Sequence, residues 1–108
     1  METYIGDTFR FDFSATLEDG STYNFYPGDT LKVGIKDKLT NSRYVAMKQI
    51  DIKENTDIVS IEFSKEETEK WCAGNKILEV ELTDAQGVVT TLYQDKLSVL
   101  GDVIKWVI

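Results

Sequence analysis

Apolar residues recur at every second position through most of the chain, a spacing that predicts β-strands. In the first run Phe9, Phe11, Phe13, Ala15 and Leu17 share one face, while Arg10, Asp12, Ser14 and Thr16 share the other. A strand of that kind is half-buried and suits an antiparallel sheet with one solvated side. Leu31, Val33 and Ile35 repeat the pattern, with Lys32, Gly34 and Lys36 expected outward, and Val59, Ile61 and Phe63 repeat it again. Arg43 to Ile52 changes phase: Val45 and Met47 have one parity, Ile50 and Ile52 the other. A β-bulge near Lys48-Gln49 is expected there, since an extra residue would turn both sets inward. Val88 to Val99 predicts a long strand, bent around Gln94-Asp95-Lys96. Turns are expected at Glu18-Asp19-Gly20-Ser21, around Pro27-Gly28-Asp29, over Lys53 to Thr56 and at Thr83 to Gly87.

One stretch departs from this period, and the rest of the chain is organised around it. In Phe63 to Leu82, Ser64 and Glu67 have the spacing of a capping box, in which the serine oxygen accepts the N–H three residues on and the glutamate reaches back. Acidic residues crowd the first turn, where the helix dipole favours them. Gly74 suits a left-handed position closing the helix, and Trp71 is the anchor of its buried side. The expectation is a helical plug of roughly two turns, at ~3.6 residues per turn, built on Ser64, Glu67, Trp71 and Gly74. Ile77 to Leu82 then returns to strand alternation. Together the pattern predicts an all-β protein, a sandwich or a barrel with one short helix between late strands, forming a single domain over residues 1–108; the form expected is an antiparallel, immunoglobulin-like β-sandwich.

Composition narrows the chemistry. The 108 residues are 42% hydrophobic, enough for a core, and carry a formal charge of −7. A negative surface repels phosphate backbones, so nucleic acid is not an expected partner. No apolar run reaches the ~18 residues of a spanning helix, so membrane insertion is not expected. No signal peptide is visible at Met1-Glu2-Thr3-Tyr4, which points to synthesis in a cytoplasm. The chain has no histidine, which removes the Ser-His and Cys-His dyads and the usual zinc sites. Its one cysteine, Cys72, cannot form an internal disulfide and is expected to be a buried, inert thiol beside Trp71.

Carboxylates are the remaining catalytic currency. Asp84, Asp95 and Asp102 fall in late loops, and Glu18, Asp19 and Asp29 in early ones, but aspartate beside glycine is ordinary turn chemistry. No run matches a calcium loop. Lys32, Lys36, Lys38, Arg43 and Lys48 could form a basic stripe, yet outward aromatic residues between them are missing, and lysines on strands more often guard sheet edges. Tyr4, Tyr23, Tyr26, Tyr44 and Tyr93 could build a sugar-binding platform. No catalytic residue, metal ligand or cofactor is therefore expected. A carbohydrate-binding or adhesin-like module is the alternative to a scaffold role, and a carboxylate-dependent hydrolase stands last.

The order of elements resembles a module recurrent in tail and baseplate proteins of tailed phages and prophages, in particular the N-terminal β-sandwich of baseplate upper proteins from phages of Gram-positive bacteria. The residues that carry the resemblance are Gly6-Asp7 before the Phe9/Phe11/Phe13 strand and Phe63, Glu67-Thr68, Trp71 and Gly74 before Leu78 to Leu82. Asp84, Gly87 and Thr91-Leu92, then a terminal strand, complete it. The resemblance implies a non-enzymatic assembly role in the virion, with other virion or tail proteins or further copies of the chain as partners. The end of the sequence agrees. Val103-Ile104-Lys105-Trp106-Val107-Ile108 has five apolar residues out of six. Alternation sets Ile104, Trp106 and Ile108 against Val103, Lys105 and Val107, and an edge strand buries only one such face in its own domain. Val103, Ile104, Trp106, Val107 and Ile108 are thus candidate interface residues of a homo-oligomer; the alternative is a closing strand covered on both faces by its own chain.

Overall fold

A computed structural model of the chain describes residues 1–37 and 44–101. Among the described residues there are seven strands, β1 (Glu2–Tyr4), β2 (Phe9–Phe13), β3 (Thr30–Lys36), β4 (Ala46–Asp51), β5 (Val59–Phe63), β6 (Gly74–Thr83) and β7 (Val89–Leu100), with one helix, α1 (Lys65–Thr68), between β5 and β6. A five-stranded sheet in the order β1-β7-β6-β3-β4 faces a two-stranded sheet of β2 and β5. β2 to β7 thereby take the places of strands B, C, C′, E, F and G of an immunoglobulin-like sandwich. All pairs are antiparallel except β1 with β7, which is parallel. β1 is too short for periodicity to reveal, and no sequence pattern announces it.

The core follows the expected parities. Phe9 and Phe13 from β2, Leu31, Val33 and Ile35 from β3, Val59, Ile61 and Phe63 from β5, and Leu78, Val80 and Leu82 from β6 are buried between the sheets. Leu17 does not join them. β2 ends at Phe13, and Leu17 is exposed.

The expected bulge in β4 does not form, and a bulge lies in β7 instead. β4 pairs with β3 in unbroken register from Thr30↔Asp51 to Ile35↔Ala46, so no bulge forms at Lys48-Gln49. Even-numbered residues face inward throughout: Ala46 and Ile50 pack on the core and Ile52 is buried, leaving Val45 and Met47 exposed. Lys48 is the inward charge this register requires, and it is fully engaged. Its ammonium lies 4.9 Å from the Phe63 ring centroid, donates to the Glu62 carbonyl and pairs with Glu67 at 2.9 Å. β7 carries the irregularity at Leu92, because Val80 pairs with Tyr93 and Glu81 with Thr91. The extra residue lets Leu92 and Tyr93 both pack on the core, which strict alternation forbids.

Candidate functional site

The helical stretch is a plug at one end of the sandwich. Ser64 Oγ accepts from the Glu67 N–H at 3.2 Å, and the Glu67 carboxylate accepts from the Ser64 N–H at 3.1 Å, a complete capping box. Hydrogen bonding to Lys48 is the main reason that the Glu67 carboxyl is held below its ordinary range. The helix is one turn, Lys65–Thr68, shorter than the pattern suggests. Trp71 lies beyond it, 3% exposed, edge-on to Phe63 at 5.2 Å and to Phe9 at 6.2 Å. Those two rings belong to a directly paired position of β2 and β5, so the indole caps the two-stranded sheet at that pair.

Gly74 does not close the helix. The C-cap is Glu69, in ordinary right-handed geometry, and Gly74 begins β6 with φ +139°, a backbone that favours glycine. Cys72 is exposed rather than buried. One plug residue has no sequence signal beyond its place in the helix. Thr68 is fully buried; its hydroxyl accepts from the Gly6 N–H at 3.1 Å and donates to the Asp7 carbonyl at 2.8 Å. It ties the plug to the turn between β1 and β2, and only tertiary contact brings positions so far apart in sequence together.

A second cluster occupies the outer face of the five-stranded sheet, where Gly34, Glu79 and Gln94 lie side by side on β3, β6 and β7. Glu79 is 3% exposed. It accepts from the Tyr44 hydroxyl at 2.9 Å and the Gln94 amide at 2.6 Å, and faces the Lys36 ammonium at 3.4 Å. The Tyr44 ring lies over Gly34, and a Cβ there would run into it, so Gly34 is covered rather than solvated. Burial, and then the bond to Glu79, pushes the Tyr44 hydroxyl up to about 12. Burial also opposes ionisation of Glu79, but the bonds from Gln94 and Tyr44 with the Lys36 charge outweigh it and hold the carboxyl below its ordinary value. Glu81, two residues along the same face, is pushed up by burial and by the Glu79 carboxylate beside it.

The two glutamates act on stability in opposite senses. Glu79, with its folded pKa lowered, stabilises above its unfolded value, and that contribution is lost as pH falls through the folded one. Glu81, with its folded pKa raised, contributes stability that is present below its unfolded value and is lost as pH rises through the folded one. Glu81→Gln is therefore expected to raise the melting temperature at pH 7, with the gain shrinking as pH falls through the Glu81 transition. Melting curves of both proteins across pH 3–8 measure it, and a pH-independent difference would contradict the like-charge pairing.

The other candidates separate. Asp84 accepts from the Gln86 and Val88 N–H groups, Asp19 from Ser21, and Asp29 from Tyr26 and Tyr23; each braces its own turn. Asp95 accepts from the Tyr93 hydroxyl. Lys36 lies on the outer face of the five-stranded sheet and Lys48 points into the sandwich, so these two lysines do not share a stripe. Tyr93 packs inward on Phe13, Tyr44 lies on the outer face, and Tyr23 sits against Phe25. The tyrosines thus divide among different surfaces. Among the described residues no three acidic or thiol groups converge as a metal site, and no helix is long and apolar enough to cross a membrane. Lys38, Arg43, Asp102 and the candidate interface Val103, Ile104, Trp106, Val107 and Ile108 lie outside the described residues. Comparison with family models, curated proteins and solved structures finds no match to this chain.

Proposed function

We propose that this chain is a non-enzymatic assembly module of a phage or prophage tail or baseplate, which joins other virion proteins or further copies of itself through its sheet edges. The observation that carries the reading is an immunoglobulin-like sandwich whose smaller sheet has only two strands among the described residues, leaving β2 with an unpaired outer edge. Unpaired strand edges are templates for another chain, and modular assemblies use them. The polar cluster around Glu79 supports a scaffold in preference to a catalyst, because hydrogen bonds and charge already engage its carboxylate. Apolar side chains on the surface, Met47 on β4 at 50% exposure and Val88 and Val89 at the start of β7, add contact area for a partner. The virion context rests on the resemblance of this order of turns, strands and plug to tail and baseplate modules.

Mass spectrometry of density-purified particles from the encoding phage or induced lysogen tests the reading. The chain is expected at copy numbers comparable to tail proteins. Its absence from particles that contain the remaining tail proteins would exclude the virion role.

A further inference from the structure

The open edge of β2 is the place that strand A fills in an immunoglobulin-like sandwich, where the corresponding sheet runs A-B-E-D. Here that sheet consists of β2 and β5 alone among the described residues. Its two edges differ. The β5 edge is capped, since Lys48 reaches across from β4 to the Glu62 carbonyl. The β2 edge carries no such contact among the described residues, and beside it lies a cleft of about 240 Å³ lined by Met1, Phe11, Asp12, Phe13, Ser14 and Tyr93. A second cleft of about 300 Å³, lined by apolar Ala15, Leu17, Leu82, Val88 and Leu92 and by polar residues such as Asp84 and Thr90, starts at the residue that follows Ser14. Apolar side chains, with a few polar ones, thus line hollows alongside the outer edge of β2, which has no partner strand among the described residues.

Resting on the assembly reading above, we infer that the open edge of β2 receives segment Val103–Ile108 of a second copy of this chain as an added strand. Six residues at ~3.3 Å each span roughly the length of a strand such as β2, which has five residues. With Ile104, Trp106 and Ile108 turned into the hollows, Lys105 falls on the outer face with Asp12. Arg10 on that face already pairs with Glu62, whereas Asp12 has no ion-pair partner among the described residues. Lys105 supplies the complementary charge.

Direction favours a second copy over the segment's own chain. β1 is parallel to β7, and the Ile5 N–H donates to the Leu100 carbonyl, so β7 ends where β1 leaves for β2. The segment's own β2 starts from that same end and runs away from it. To reach it, the segment would have to reverse within Gly101-Asp102 and then run parallel to β2. A second copy can approach antiparallel, the slightly more stable pairing, without that reversal.

Cysteine cross-linking tests the seat. Two differently tagged full-length chains, both Cys72→Ser, are co-expressed, one with Asp12→Cys and the other with Lys105→Cys; Val103→Cys and Val107→Cys sample neighbouring registers. A disulfide joining the two tagged chains is expected for at least one register. In parallel, Asp12→Lys is expected to weaken self-association by about two- to fivefold, with recovery when combined with Lys105→Asp. Multimeric wild type with no cross-link in any register overturns the seat but leaves self-association standing. A disulfide confined to a single chain carrying both substitutions assigns the segment to its own β2 and overturns the inference. A wild type that sediments as a monomer at high micromolar concentration overturns both the seat and self-association.

Discussion

Trp71→Ala is expected to destabilise the protein by about 3–5 kcal/mol, the usual consequence of deleting a large buried ring. The indole is almost wholly inaccessible and lies edge-on to Phe9 and Phe63, which themselves stack across the β2–β5 pair at 6.3 Å. Its removal opens a void where the two-stranded sheet ends, and only a one-turn helix stands ready to collapse into it. The cost therefore belongs at the upper end of that range. Ser64→Ala is the control within the same plug. It removes one side of the capping box and is expected to cost about 1 kcal/mol, with the buried aromatic group untouched. Urea denaturation of the three proteins measures both effects. Equal losses below 1 kcal/mol would show that the indole does not seal the sandwich.

Glu79→Ala is expected to cost on the order of 3 kcal/mol, because removing one member of a buried ion pair leaves its partners without compensation. Lys36, Tyr44 and Gln94 all converge on this carboxylate. Tyr44→Phe removes one neutral donor from the same carboxylate and is expected to cost about 1 kcal/mol. The combination Lys36→Met with Glu79→Leu is expected to recover much of the Glu79→Ala loss, since an apolar pair avoids the desolvation that the ions bear. Chemical denaturation at pH 7 gives all three values. A Glu79→Ala protein as stable as the wild type would mean that the cluster is solvated and carries no net energy.

Both sites show how far local pattern reaches. Alternation in Phe9 to Phe13, Leu31 to Ile35 and Val59 to Phe63 named the core strands and their inward faces, because a period of two survives any arrangement of the sheets. The Ser64–Glu67 box was legible for a similar reason: its hydrogen bonds close within one turn of chain. From these elements alone follow the all-β class and the helix between β5 and β6.

Contacts between distant residues were decided only when the sheets came together. Met47 and Ile50 compete for the inward face of β4, and the phase change in their pattern suggested a bulge. The register with β3 settled the competition for Ile50, helped by the ring, carbonyl and carboxylate that hold Lys48 inside. The irregularity moved to Leu92, where packing against the opposite sheet accommodates two successive apolar residues. Glu79 reads as a solvent-facing strand residue until Tyr44, Lys36 and Gln94 close over it, and Thr68 as a helix filler until Gly6 and Asp7 meet its hydroxyl. Residue type alone suits Gly74 to the helix end, but its positive φ serves the start of β6. The sequence by itself determined which residues form strands and which face of each is apolar, since those depend on near neighbours. Which polar groups are buried, and which strand edge is unpaired among the described residues, emerges only when the sheets pack, since both depend on elements far apart in the chain.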